Sequence, residues 1–389
     1  MQTSSASYGF GVNVSPSVSH ATYATRRSAS ASDCRQIAMV STARDGAGGI
    51  ASVISTYAAG GLFERWPVLS LDSHVTGSAS RKLIVFAGAL THFVGKLLRG
   101  RIGLLHVHAA SGSSFWRKSC FVCIAFLFRK PVLLHIHGGN FMSFYEDSYG
   151  PIRRRMVRYI LEHSTRVITL SPSWRGRLLT IAPRATIVSI PNPVMVALGR
   201  PRKLRSRVVL FLGRISVEKG VFDLIKAWKQ VNAAVGGRLV LAGDGDLDTA
   251  RREIVSLGLS DSVELPGWIS GVAKDELLAR ADVCVLPSYF EGMPMSLLEA
   301  FGSGIPCAAS AVGGIPDIMS DGVEGRLIKP GDIRALAVVL IQMLSDKEQY
   351  ARMSQAALAR FHSDFAANVV IPKLEELYRE IGMNPVRAT

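Results

Sequence analysis

The stretch Val283-Cys-Val-Leu-Pro-Ser-Tyr-Phe-Glu-Gly-Met-Pro-Met-Ser-Leu-Leu-Glu299 decides how the rest of the chain is read. Its first four residues are apolar and suit a strand, and Pro287 stops them. Ser288 to Gly292 is a short polar loop in which Gly292 allows a tight turn. Pro294 to Phe301 is helix-forming, and Pro294 suits the first helical position, where a missing N–H costs nothing. The order is therefore strand, loop, helix N-terminus. The first turn of such a helix offers unpaired N–H groups and a partial positive charge to an anion. Glu291, in the loop, can accept hydrogen bonds from ligand hydroxyls, and Glu299 lies inside the helix, about two turns further on. Carboxylates of this kind suit a sugar and not a phosphate. Two glutamates eight positions apart are ordinarily solvated surface acids, so the neighbouring sequence has to decide.

The neighbours are specific. Ala281-Asp282 precedes the strand. Downstream lie Ala300-Phe-Gly-Ser-Gly-Ile-Pro306, Gly313-Gly-Ile-Pro-Asp317 and Gly322-Val-Glu-Gly325; upstream lies Gly213-Arg-Ile-Ser-Val-Glu-Lys-Gly220. Taken in order, with Glu291 and Glu299 between them, these runs resemble the Glu-x7-Glu signature and its companions in retaining GT-B glycosyltransferases of family 4 type. The resemblance is close in the C-terminal half and loose in the N-terminal half. It implies an α/β chain of two Rossmann-like doubly wound parallel-sheet domains facing across a cleft.

Length and charge agree with two domains. The 389 residues carry a net charge of +15, unevenly placed. Residues 1–206 hold 26 Lys/Arg against 7 Asp/Glu, whereas the remainder holds 19 against 23. A basic first half points to an anionic partner: a membrane surface, a diphosphate-bearing substrate or nucleic acid. No zinc-ligand spacing, RNA-binding signature or helix-turn-helix pattern supports nucleic acid, and none is expected as a partner. Five scattered cysteines form no disulfide framework and fit a reducing compartment. Cys120 and Cys123 fall in an apolar run and are read as buried thiols.

Residues 1–34 are rich in Ser and Ala and read as a disordered extension without the apolar core of a secretory signal. The first domain is expected over 35–193, a linker over 194–206 and the second domain over 207–364. A last amphipathic helix, 365–383, is expected to cross back onto the first domain. Gly46-x-Gly48-x-x-Ala51 with Asp72 loosely matches a dinucleotide fingerprint. That fingerprint puts its first glycine at the strand end, and here Arg44 and Asp45 intervene. Strands alternate with helices throughout, which argues parallel sheets. Such sheets bind ligands beyond their carboxyl ends, so His106-x-His108 and His137-Gly-Gly-Asn140, each at a strand end, point to one crevice. The pair His106/His108 could ligate a metal, but no cysteine or third histidine lies near in sequence, and no metal ligand is assigned. The segment 81–101, with basic ends and apolar Leu83, Ile84, Phe86, Leu90, Phe93, Val94, Leu97 and Leu98, is an amphipathic helix too polar to span a bilayer.

The resemblance implies roles. Arg214 and Lys219 would neutralise the leaving diphosphate, the two carrying fixed charge on a loop flanked by Gly213 and Gly220. Backbone N–H groups of Gly292, Met293, Pro294's successor Met295 and the glycine loop at Gly48 and Gly49 would face the same group. Glu291 would contact the sugar, Glu299 the ribose, and Gly267 and Trp268 the base. His137 matches the family's active-site histidine. No cofactor is implied beyond the nucleotide-diphosphate sugar itself, GDP- or UDP-linked, from which a hexose would pass with retained configuration to a lipid-linked or glycan acceptor of exopolysaccharide or lipopolysaccharide assembly. The enzyme would work in the cytoplasm, peripheral at the inner membrane face. A sugar-nucleotide epimerase and an inactive carbohydrate-binding relative share the fold; the second would be expected to have lost one of Arg214, Lys219, Glu291 and Glu299.

Overall fold

A computed structural model describes residues 35–44, 46, 48–147, 150–196 and 206–386. The expected N-terminal extension and most of the expected linker lie outside these residues. The chain builds two sheets, each of six parallel strands.

The first half runs β1 (Gln36–Ser41), α1 (Gly49–Ala59), α2 (Leu62–Arg65), β2 (Val68–Asp72), α3 (Ala79–Leu98), β3 (Ile102–Ala109) and α4 (Ser113–Leu127). It continues with β4 (Val132–Ile136), α5 (Phe141–Asp147), α6 (Pro151–His163), β5 (Arg166–Thr169), α7 (Pro172–Ile181) and β6 (Ile187–Ser189). The sheet order is β2-β1-β3-β4-β5-β6. The central strands read as unbroken apolar runs because both faces are covered. On one face Phe93 of α3, Phe121 of α4, Val157 and Ile160 of α6 and Leu178 of α7 pack against Val107, Leu134 and Val167.

The second half runs β7 (Val208–Leu212), α8 (Val221–Val235), β8 (Arg238–Ala242), α9 (Leu247–Ser256), β9 (Val263–Gly267), α10 (Gly271–Arg280), β10 (Val283–Leu286) and α11 (Met295–Gly302). Then come β11 (Cys307–Ser310), α12 (Ile315–Ile318), β12 (Gly325–Ile328), α13 (Ile333–Ser345), α14 (Lys347–Arg360) and α15 (Ala367–Glu380). Its order, β12-β11-β10-β7-β8-β9, reverses between β10 and β7. That reversal is where open α/β sheets bind ligands, beyond the carboxyl ends of the two strands. The loops there are Gly213–Gly220 after β7 and Pro287–Pro294 after β10, the two runs that the sequence singles out. Asp282, 4% exposed, accepts from the Val208 amide at 3.1 Å and so ties the starts of β10 and β7 together.

α15 does cross back. Val370, Ile371, Leu374 and Tyr378 fill the second face of the first sheet against Ile37, Met39, Leu104 and Ile168. The two crossings run side by side: Val194 donates to the Phe365 carbonyl at 2.9 Å and accepts from Ala367 at 3.0 Å. Val194 is thus anchored where the sequence suggested that a linker begins.

Two expectations are corrected. Pro294 is the residue before the helix, not its first position: its ψ of 121° is extended and α11 starts at Met295. Cys120 and Cys123 are exposed. Their helix is one-sided, with Phe115, Phe121, Val122 and Ala125 facing the sheet, so an apolar run did not mean burial all round.

Candidate active site

The post-β10 loop is held from two sides. The Tyr289 amide donates to the Glu218 carbonyl, and its hydroxyl donates to Asp223, each at 2.8 Å. Gly220, at φ +68°, lies so close to Pro287 that a Cβ would sit 2.0 Å from the Pro287 carbonyl oxygen. Only glycine fits that approach, and it brings Lys219 over the loop. Lys219 Nζ donates to Glu291 Oε1 at 2.6 Å, and Ser288 Oγ donates to the same oxygen at 2.8 Å. Glu291 is 7% exposed. Its second oxygen has no hydrogen-bond partner among the described residues, leaving an acceptor for a ligand hydroxyl.

Glu299, on α11, pairs with Lys274 of α10 at 2.7 Å. Lys274 has no signal in the sequence, since it lies 25 positions away on a helix that no motif marks. Arg214 is exposed, makes no ion pair among the described residues, and lies against Gly245. The structure therefore brings Lys219 to Glu291 but not Arg214. Gly213 and Gly243 are in backbone contact; a Cβ on Gly243 would meet the Gly213 carbonyl oxygen at 1.7 Å. Gly267 ends β9 at φ +79°, accepts from the Gly243 amide at 2.9 Å, and is followed by the exposed ring of Trp268.

The first domain meets this loop backbone to backbone. A Cβ on Gly139 would lie 2.4 Å from both the Glu291 carbonyl carbon and the Gly292 nitrogen, and one on Gly292 would lie 2.9 Å from the His137 carbonyl oxygen. Gly49, at the start of α1, faces the Met295 side chain. Gly48 caps α1 at φ +124°. Met293 is buried: Asn192 donates its amide hydrogen to the sulfur and its side-chain amide to the Met293 carbonyl, both at 3.2 Å. The N–H groups of Gly292 and Met293 make no hydrogen bond among the described residues. Across the rim, Arg177 of α7 donates to the Gly313 carbonyl at 3.2 Å, and Ser173 donates to Asp317.

His137 leads a file of four imidazoles. Alternate residues of a strand share a face, so His106 and His108 of β3 point the same way as His135 and His137 on and just after β4. His108 pairs with His135 in register. His108 Nδ1 lies 2.9 Å from His137 Nε2, and His106 Nδ1 lies 2.7 Å from the Tyr378 hydroxyl of α15. Burial, then the Lys118 charge, lowers the His137 pKa to about 3. Burial, then His137, brings His106 down to about 3 as well. His137 is therefore neutral near pH 7 and can exchange hydrogen bonds with an uncharged hydroxyl. The third histidine that the sequence reading found missing beside His106 and His108 is His135. It is 27 positions from His108 in sequence and directly across from it in the sheet.

The chain is similar to known proteins. Residues 49–198 match the family described as Glycosyltransferase Family 4, and residues 200–360 match Glycosyl transferases group 1. Between them the two account for most of the chain, which belongs to the GT-B glycosyltransferases of family 4 type. It is 28% identical to a 2-deoxystreptamine N-acetyl-D-glucosaminyltransferase of Streptomyces fradiae, over 82% of this chain and 80% of that one. It is 25% identical to the amylovoran biosynthesis glycosyltransferase AmsK of Erwinia amylovora, over 56% of each. Among solved structures, Anabaena Alr3699/HepE in complex with UDP and glucose superposes with a TM-score of 0.71 at 19% identity, over 89% of this chain and 100% of that one. The protein is a glycosyltransferase with relatives in polysaccharide biosynthesis.

Proposed function

We propose that the protein moves a hexose, with retention, from a UDP- or GDP-linked donor to a lipid-linked or glycan acceptor in surface-polysaccharide assembly. The observation that carries this is the Lys219–Glu291–Ser288 group facing the His137–Gly139 loop across the cleft. Glu291 Oε2 would accept from a sugar hydroxyl. The N–H groups of Gly292 and Met293, with the first turn of α11, offer donors to a diphosphate. On donor binding, Lys219 would divide its charge between Glu291 and the leaving phosphate. At an effective dielectric near 20, a contact at about 4 Å is worth roughly 4 kcal/mol before desolvation. A quarter of that, gained only in the transition state, is about fivefold in rate. The UDP bound by the Anabaena structure favours a uridine nucleotide among the donors to try first. In this reading Lys219 and the first turn of α11, facing the leaving group, take the place of a divalent ion at the diphosphate.

No helix among the described residues is long and apolar enough to cross a membrane. The place of work in this reading is the inner membrane face, peripherally.

Turnover of a panel of UDP- and GDP-sugars, with and without chelator, tests the reading. Hydrolysis or transfer of one donor, reduced about tenfold or more in folded Lys219→Ala, is expected. Full activity in that variant would remove Lys219 from the mechanism. Strong activation by magnesium after chelation would overturn metal independence at the diphosphate, and no turnover of any donor would favour a carbohydrate-binding relative.

A further inference from the structure

Buried ring nitrogens almost always find a hydrogen-bond partner. In the histidine file they do not. His106, His108 and His135 are fully buried, yet His106 Nε2, His108 Nε2 and both nitrogens of His135 have none. One ligating nitrogen from each of the three lies within 4.8 Å of the other two. We propose that His106, His108 and His135 bind one divalent transition ion of the zinc class inside the first domain, one imidazole away from His137.

The geometry is that of a closing site. For three atoms no more than 4.8 Å apart, some point lies at most about 2.8 Å from each. Zinc–imidazole bonds are about 2.0–2.1 Å, so closure moves each nitrogen by about 0.7 Å or less. The parallel register fixes the three corners: two histidines of β3 on one face, and His135 opposite one of them on β4. The ring centroids of His106 and His108 are 4.3 Å apart, and those of His108 and His135 are 4.9 Å apart.

The outer partners fit a ligating role. A metal-bound imidazole usually donates its other N–H to a neighbour, which fixes the tautomer. His106 Nδ1 has the Tyr378 hydroxyl, and His108 Nδ1 has His137 Nε2. In both rings Nδ1 is engaged and Nε2 is left over. Tyr57, its ring centroid 5.9 Å from that of His108, has a buried hydroxyl with no partner and can bond a water in the fourth position. No carboxylate joins the trio among the described residues. That excludes magnesium and calcium, which want oxygen, and favours ions that imidazole holds strongly. Because the rings are buried, the ion enters as the domain folds and contributes to its folding. Through the His108–His137 contact it would also fix the tautomer that His137 presents to the cleft. This ion is separate from the diphosphate chemistry, and the proposal stands whether or not the donor reading holds.

The test uses the full chain, expressed in zinc-supplemented medium with a histidine-free tag and purified without chelator. Elemental analysis is expected to find about one zinc per chain, and cobalt-grown protein to show tetrahedral ligand-field bands in the visible. Folded His135→Gln is expected to lose the ion, whereas His137→Gln keeps it. Metal at background in the folded wild-type chain, with no cobalt bands, overturns the proposal; so does an unchanged metal content in folded His135→Gln. Should His135→Gln not fold, the wild-type zinc content and cobalt spectrum decide alone.

Discussion

Lys118 of α4 is 1% exposed and donates to Ser114 Oγ at 3.0 Å. Burial, then Arg117, lowers its pKa from 10.5 to about 7. A lysine held this way destabilises the fold. The penalty is whole below about pH 7, shrinks as pH rises, and is gone above 10.5, where the unfolded lysine is neutral too. It is of order 5 kcal/mol. Lys118→Met is therefore expected to stabilise the protein against urea at pH 7, and to stabilise it far less near pH 10. No gain at pH 7 would mean that the charge is compensated. Turnover should fall in the same variant if the lysine is kept for the cleft, where its charge already bears on His137. At this scale the sequence is partly legible. Lys219 stands out because glycines flank it, but its pairing with Glu291 across 72 positions does not. The histidine file was written in the sequence as two His-x-His runs at two strand ends; what the sequence leaves out is that those strands are neighbours.

At the scale of elements, the decisive contacts are glycine against backbone. Gly139 and Gly292 let the two post-strand loops touch without side chains between them. Gly139→Ala would drive a methyl into the Glu291–Gly292 peptide, and neither side is a flexible tip that can swing away. The two domains must part, and Glu291 moves with them. We expect kcat/KM to fall about tenfold or more, ~1.4 kcal/mol, with the melting temperature little changed. Gly150→Ala, where a Cβ meets nothing within 4 Å, serves as the control and should behave as wild type. Equal activity in the two variants would show that the loops need not touch. Most strands are short apolar runs bounded by turn residues and are legible for that reason; β11 (Cys307–Ser310) and β12 (Gly325–Ile328), with a serine, an arginine and a glycine among their few residues, are not. The short helices α2 and α5 were not, since four and seven residues carry too little periodicity to read. The outward cysteines of α4 were missed because apolar content hid which way the helix was turned.

At the scale of the whole molecule, the layer formed by α3, α4 and α6 carries an unusual outer surface. Leu83, Ile84, Leu127 and Ile152 are between 66% and 80% exposed. Arg81, Lys82, Arg154 and Arg155 are exposed on the same helices, and a groove of about 1050 Å³ beside α6 is lined by Arg154, Arg155, Arg158 and Arg184. Each cation near an anionic leaflet contributes about 1 kcal/mol, and apolar side chains add burial at the headgroup boundary. Sedimentation with anionic vesicles at low salt is expected to carry the protein down; neutral vesicles or high salt should leave it in solution. Leu83→Ser with Ile84→Ser should weaken binding without touching the cleft. Failure to bind anionic vesicles at low salt would assign this surface to another purpose. The helix α15 bears on the molecule differently. Its residues complete the inner face of a sheet whose first strand begins at Gln36, so on the ribosome the domain that emerges first is the one finished last. Until Val370, Leu374 and Tyr378 have left the exit tunnel, Ile37, Met39 and Leu104 lack their cover and His106 lacks its hydroxyl. The order of synthesis thus holds the first half of the cleft immature until the second half exists to face it.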